Sequence, residues 1–193
     1  REERIIKAAE RLFITQGVGR TNMEQIAAEA GVGVATLYNY FGRKRGILEA
    51  IVRPEFERMF SDADAVIQDP PAELAPAVLA LVERYTSLMG YWSDQKLLLA
   101  LTSLGPNSDP WQDELFDEAE RRVKEQIVRL LEGFRKRGLV GHDLSLSPAA
   151  DAIFSVFNQF FKDFIGGRVV VQGTIVEGMR PALEIVINGI EKR

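Results

Sequence analysis

Residues 21–44, TNMEQIAAEAGVGVATLYNYFGRK, leave the chain few options. Two short stretches with apolar residues at helical spacing flank the turn Gly31-Val32-Gly33, and the basic run Arg43-Lys44-Arg45 follows. Glycine just past a helix accepts the left-handed backbone that stops it. Two short helices joined this tightly form a helix-turn-helix, which offers its second helix to the major groove of DNA. The same spacing also serves a bare three-helix packing unit that binds nothing.

Charge separates these possibilities in part. The net charge of the 193 residues is −4, which by itself argues against a nucleic-acid binder. The distribution is uneven: residues 1–53 carry nine Lys/Arg and six Asp/Glu, whereas residues 54–193 carry fifteen and twenty-two. A basic head on an acidic body suits a protein that sets one end on phosphate. There is no cysteine, which fits a reducing, cytoplasmic setting. No secretory leader is visible, and the longest apolar runs are too short to span a bilayer.

The spacing predicts an all-α chain. Helices are expected over 2–16, from Thr21 to about 30, over 34–40, and from about Arg43 onward with a kink or restart at Pro54. Further helices are expected from the Asp69-Pro70-Pro71 break to about 92, over 94–104, over 110–137, from Ser147-Pro148 to about 165, and over 174–191. Thr21 and Glu24 read as a capping box for the second helix. The stretch 168–171 reads as loop. These helices divide into a three-helix head, residues 1–46, and a larger helical body, residues 47–193.

In the third helix, Val34, Leu37 and Phe41 share a face and are expected to pack inward. Ala35, Thr36, Asn39 and Tyr40 then point outward, with Tyr38 at the border. Thr36 and Asn39 suit base edges, Asn matching the paired donor and acceptor of adenine, and Ala35 fits beside a thymine methyl. The hydroxyls of Tyr38 and Tyr40 suit phosphate oxygens. Thr21, with the free amides at the start of its helix, makes a second anion site, and Lys44 adds a cation.

The set Thr21, Ile26-Ala27, Ala30-Gly31-Val32, Thr36-Leu37-Tyr38, Tyr40-Phe41, Lys44 and Ile47-Leu48 resembles the tetracycline-repressor (TetR) family of bacterial transcription regulators. The resemblance covers about residues 2–53. It implies phosphate contacts at Tyr38 and Lys44, and a DNA-facing set at Ala35, Thr36, Asn39 and Tyr40. Two positions depart from the family pattern. Arg43 stands where a capping Ser, Asn or Asp is usual, and Gly46 is expected to weaken the first turn, each costing about 1 kcal/mol.

The body carries no motif for chemistry. His142, the single histidine, lies in a glycine-flanked loop and reads as solvated, so neither a metal site nor catalysis is expected, and no cofactor. The last two helices show wide apolar faces that would suit a self-associating four-helix interface, or simply the core of one subunit. The family resemblance implies a homodimer through these helices, giving Ile153, Phe157, Phe160, Val176, Met179, Leu183, Val186, Ile187 and Ile190 as interface candidates. It also implies a small-molecule effector held between the helices of the body. Candidates by residue type are Met59, Phe60, Tyr85, Met89, Trp92, Phe116, Asn158 and Phe161.

The expectation is therefore a dimeric, ligand-responsive repressor that binds a palindromic double-stranded DNA operator and is released by a small apolar or aromatic molecule. The alternative is a helical small-molecule-binding or scaffold protein without DNA binding.

Overall fold

A computed structural model describes residues 1–91, 110–165 and 175–190, with 87–91, 110–113, 165 and 175 described by their backbone alone. The expected helix over 94–104 and the expected loop at 168–171 lie outside the described residues. Among those described there are eight helices and no strand. They are α1 (Glu2–Gln16), α2 (Met23–Ala30), α3 (Val34–Phe41), α4 (Lys44–Gln68), α5 (Leu74–Tyr91), α6 (Pro110–Lys136), α7 (Leu146–Ile165) and α8 (Ile175–Ile190).

The first three helices close on a small core. Ile5, Ala8, Ala9 and Phe13 from α1 meet Met23, Ile26, Ala27 and Ala30 from α2 and Leu37 from α3, all buried. The base of α4, with Ile47 and Leu48, seals this core from below. Arg4 fastens α1 to the end of α2 by donating to the carbonyl oxygens of Ala30 at 2.6 Å and Gly31 at 3.2 Å. Gly31 adopts the left-handed backbone, φ 62°, that the sharp exit from α2 requires.

Some helix ends differ from expectation. The capping residue of α2 is Asn22, not Thr21: its side-chain oxygen accepts from the Gln25 amide at 2.8 Å, and Gln25 Oε1 accepts from the Asn22 amide at 2.9 Å. Both residue pairs fit the capping-box spacing, and the one that leaves Thr21 free for the core prevails. Helix α4 runs unbroken through Pro54, although the ring denies the Ala50 carbonyl its usual donor. Helix α7 begins at Leu146, so Pro148 sits inside its first turn, where a missing N–H costs nothing.

In the body, α5 packs on α4 and α8, and α6 packs on α4, α5 and α7. The core they enclose includes Leu81, Tyr85, Ile127, Leu130, Phe134, Leu183 and Ile187, each at most 1% exposed.

Helices α4 and α6 run side by side in the same direction, joined by charge pairs whose sense reverses along the way. Near the head α4 is the cation, with Arg45 on Glu114 at 3.7 Å and Arg53 on Glu118 at 3.9 Å. Farther on α4 is the anion: Glu57 takes both arms of Arg122 at 2.5 and 3.0 Å, and Asp64 receives Arg129. Such exposed pairs are each worth about 0–1 kcal/mol, so their larger effect is on register.

The hydrogen bonds from Arg122 hold the Glu57 carboxyl below its ordinary range. A depressed folded-state pKa contributes stability that is complete above the unfolded value and is lost as pH falls through the folded one. Acid titration of thermal stability is therefore expected to be flatter for Glu57→Gln than for the natural chain on the acid side of the carboxylate range. Superimposable profiles would show that the clasp contributes nothing.

Candidate nucleic-acid interface

Helix α3 presents the candidate reading face, and burial sorts its residues. Leu37 is fully buried and Phe41 half-buried, while Ala35, Asn39, Tyr38 and Tyr40 stand exposed, the two tyrosines by 44% and 51%. Thr36 is half-buried at the start of the helix. Val34, expected to pack inward, is instead 36% exposed. As the first residue of α3 it lies beyond the reach of the α1–α2 core, so it adds an apolar contact beside Ala35. The face is thus a row of short, flat or hydrogen-bonding side chains on a helix whose opposite side is locked by Leu37.

Two expected phosphate contacts are placed differently. Thr21 is only 1% exposed, and its hydroxyl donates to the Gly17 carbonyl at 2.8 Å and accepts from Gln16 Nε2 at 3.1 Å. Its side chain is consumed in building the turn and does not reach the surface. Lys44 is half-buried and donates to the carbonyls of Val18 at 2.7 Å and Thr21 at 3.0 Å. Its ammonium pins the α1–α2 loop to the start of α4, and engaging a phosphate would compete with those bonds. The amides of Met23 and Glu24, in the first turn of α2, have no acceptor within their helix and are the groups there that suit an anion. Arg20 and Arg43 are exposed on the flanking loops.

Gly46 is not the weakness it looked. A Cβ built there would lie 2.1 Å from the Phe41 carbonyl oxygen. The end of α3 is packed so closely on the first turn of α4 that only glycine fits. Arg43 caps α4 with no side-chain hydrogen bond, as expected from the missing Ser, Asn or Asp.

The effector candidates of the body fall into two aromatic groups. Phe60 and Phe116 each meet Phe56 edge-on, with centroids 6.3 and 6.1 Å apart. Tyr85 and Phe161 flank Phe157 at 5.9 and 6.0 Å. Met59, Phe60 and Tyr85 are buried, and Phe116, Asn158 and Phe161 are half-buried. Trp92 and the side chain of Met89 lie outside the described residues. An open groove of about 840 Å³ runs along α6 beside Asp64 and Asp151, and most of its lining is charged, with Arg121, Arg122, Lys124 and Arg129 each in an ion pair.

The spacing of the sequence did not single out Gln126, which is 3% exposed. Its signal was present: Gln126 stands three residues after Val123 and four before Leu130, on the buried stripe of α6.

The expected dimer face also changes. Ile153, Val176, Met179, Leu183, Ile187 and Ile190 are buried within the single chain, and Phe157 belongs to the aromatic interior. Phe160 and Val186 are half-buried. The outer side of α8 instead exposes Gly178, Pro181, Ala182, Gly189 and Ile185, the last by 75%. The Phe160 ring lies over Gly178, where a Cβ would come within 2.7 Å of it.

His142 is exposed in its loop. Among the described residues no group of three or more His, Cys, Asp or Glu could hold a metal, and no helix is long and apolar enough to cross a membrane.

Comparison with known proteins extends this geometry. Residues 5–51 match the family described as bacterial regulatory proteins, tetR family. The HTH-type transcriptional repressor BepR of Brucella suis biovar 1 (strain 1330) is 23% identical over 202 residues, 95% of this chain and 93% of that protein. SmeT, the repressor of the Stenotrophomonas maltophilia multidrug efflux pump SmeDEF, is 21% identical and superposes with a TM-score of 0.75 over 100% of this chain and 91% of its own. SmeT in complex with triclosan gives 0.77 at 20% identity over 99% of this chain and 91% of its own. The regulator FadR of Bacillus subtilis, in complex with stearoyl-CoA, gives 0.75 at 19% identity over 98% of this chain and 100% of its own. At these identities the structural likenesses speak for the fold. An exposed helix on a buried three-helix core, over residues that match that family's model, makes the head of this chain a tetR-family DNA-binding domain, and the body continues it with the fold of SmeT and FadR.

Proposed function

We propose that this regulator is a repressor that binds a palindromic operator as a homodimer through α3 and releases it when a small apolar or aromatic molecule enters the body. The observation that carries this is the outward set Val34, Ala35, Tyr38, Asn39 and Tyr40 on a helix anchored by buried Leu37. Tyr38 and Tyr40 serve phosphate, Asn39 and Ala35 serve base edges, and Thr36 assists from the helix start. Arg20, Arg43 and the first-turn amides of α2 flank them on phosphate. Lys44 holds the loop that aims those amides. A scaffold without DNA binding would have no reason to hold two tyrosines and an asparagine in water on one short helix.

The effector reading draws on the aromatic groups around Phe56 and Phe157 and on the complexes of SmeT with triclosan and of FadR with stearoyl-CoA. The matched family is one of regulators.

For the dimer, the outer stripe of α8 is the surface that suits a twofold partner. Ala182, Ile185 and Gly189 recur at helical spacing and let a second helix approach closely around one large anchor, with the Phe160 ring filling the space over Gly178 beside them. A dimer so formed would set two α3 helices about 34–36 Å apart, one turn of DNA.

Selection of bound DNA from a random pool, repeated with candidate effectors, tests the scheme. A symmetric site is expected, with affinity falling steeply as salt rises because phosphate contacts release counterions. Tyr38→Phe is expected to weaken all sequences alike, and Asn39→Ala to relax base preference by about 1–3 kcal/mol at one position. Unchanged affinity and preference in both variants would remove α3 as the reader. Ile185→Arg is expected to elute as a folded monomer on gel filtration, and a retained dimer would move the interface elsewhere.

A further inference from the structure

Gln126 is the one described place where three helices of the body meet through buried polar groups. Its Oε1 accepts from the Tyr85 hydroxyl of α5 at 3.2 Å. Its Nε2 donates to the Phe60 carbonyl at 2.9 Å and to Asp64 Oδ1 at 2.7 Å, both on α4. Both amide hydrogens and one lone pair are therefore used. The orientation is dictated as well: turning the amide over would set Oε1 against a carbonyl and a carboxylate, two acceptors.

The ends of this junction differ in kind. At one end Tyr85 is 1% exposed and its ring rests on Phe157, within the aromatic interior proposed to take an effector. At the other end stand Phe60 and Asp64 of α4, the helix that begins under the DNA-reading head and continues through the body. Burial, and after it the charge of Asp64, raises the Tyr85 pKa. The hydroxyl is thus a protonated donor with a single described acceptor.

We propose that Gln126 is a coupling residue that passes the state of Tyr85 to α4, so that an effector capturing the Tyr85 hydroxyl with its own acceptor frees Gln126 and shifts the reading head. This rests on the reading of the body as an effector site. A buried amide that loses one partner is costly to leave in place, because its remaining polar atoms cannot turn to water. The whole side chain therefore rearranges, and its two bonds to α4 go with it. The charge pairs between α4 and α6 fix register along their exposed flank, whereas Gln126 links Tyr85 of α5 to α4 by hydrogen bonds in the interior.

Tyr85→Phe removes the captured donor and mimics the occupied state without any ligand. Operator affinity is measured by titration of the full chain for the natural protein, Tyr85→Phe, Gln126→Leu and the double variant, with thermal melts of each. Both single variants are expected to weaken operator binding at least about 5-fold, the lower end of ordinary coupling. The double variant is expected to weaken it no further than the stronger single one, because the two residues act as one connection. Leu81→Ala, which opens a cavity on α5 one turn before Tyr85 but removes no hydrogen-bonding group of the junction, serves as the comparison for stability and packing alone. Natural operator affinity in both single variants would overturn the proposal. So would a loss that Leu81→Ala reproduces at an equal drop in melting temperature, or losses that simply add in the double variant. If the natural chain selects no DNA from a random pool, the proposed function fails first and takes this inference with it.

Discussion

Leu183→Arg is expected to unfold the body rather than to split a dimer. Leu183 is 0% exposed within one chain, as is Ile187 one turn later, and α8 turns both toward α5 and α7. A guanidinium there has no described acid to meet. Leaving a charge buried and unpaired costs several kcal/mol, against a total stability of about 5–15 kcal/mol for a typical domain. The expected observation is loss of a cooperative melt with aggregation on gel filtration. The contrast is Ile185→Arg, where the side chain is already 75% exposed and the melt is expected to survive. A Leu183→Arg chain that melts normally as a clean monomer would show that this face of α8 looks outward.

Gly46→Ala is expected to damage DNA binding although it adds a single methyl group to a helix. In an exposed helix interior, alanine in place of glycine usually stabilises by about 1 kcal/mol. At position 46 the sign reverses, because the new Cβ falls 2.1 Å from the Phe41 oxygen and 3.0 Å from its carbonyl carbon. Both are backbone atoms, so neither can swing aside. Phe41 ends α3, and relief of the clash must tilt the reading helix on α4. Overpacking of this sort costs about 1–3 kcal/mol, and operator affinity is expected to fall with it. Gly133 in α6 is the internal reference, since a Cβ there meets nothing within 4 Å. Gly133→Ala is expected to raise the melting temperature and leave operator titrations unchanged. A Gly46→Ala chain that behaves like Gly133→Ala would mean that the α3–α4 contact is loose.

The second and third helices of the head were legible because glycines punctuate them, at Gly31 and Gly33, although the capping residue of α2 was misplaced by one. Within them, Leu37 was predicted inward, Ala35, Asn39 and Tyr40 outward and Tyr38 at the border; the structure buries the first and exposes the other four. What periodicity cannot state is what an apolar face meets. The stripe Val176, Met179, Leu183, Ile187 suited a partner surface or the subunit's own core equally well, and it is buried within the single chain. The true outer stripe, Ala182, Ile185, Gly189, is too poor in large apolar residues to announce itself. Thr21 and Lys44 suit phosphate by type, and Lys44 by the family resemblance as well, while nearby main-chain carbonyls compete for both, a local competition that periodicity does not show. Gly46 failed for a related reason, since propensity prices a residue within its own helix and is blind to the neighbouring one.

The alternating ladder between α4 and α6 has a consequence for anyone wishing to retarget this regulator. Sliding α4 one turn in one direction would face Glu57 with Glu118, and in the other would face Arg53 with Arg122 and Glu49 with Glu118. The two helices therefore carry a shared key, cut half into each. A foreign reading head joined within α4 would bring the wrong half of that key to α6. Exchange of specificity between relatives is best made by a splice ahead of Arg45, or by carrying Glu114, Glu118, Arg122 and Arg129 along as matched parts.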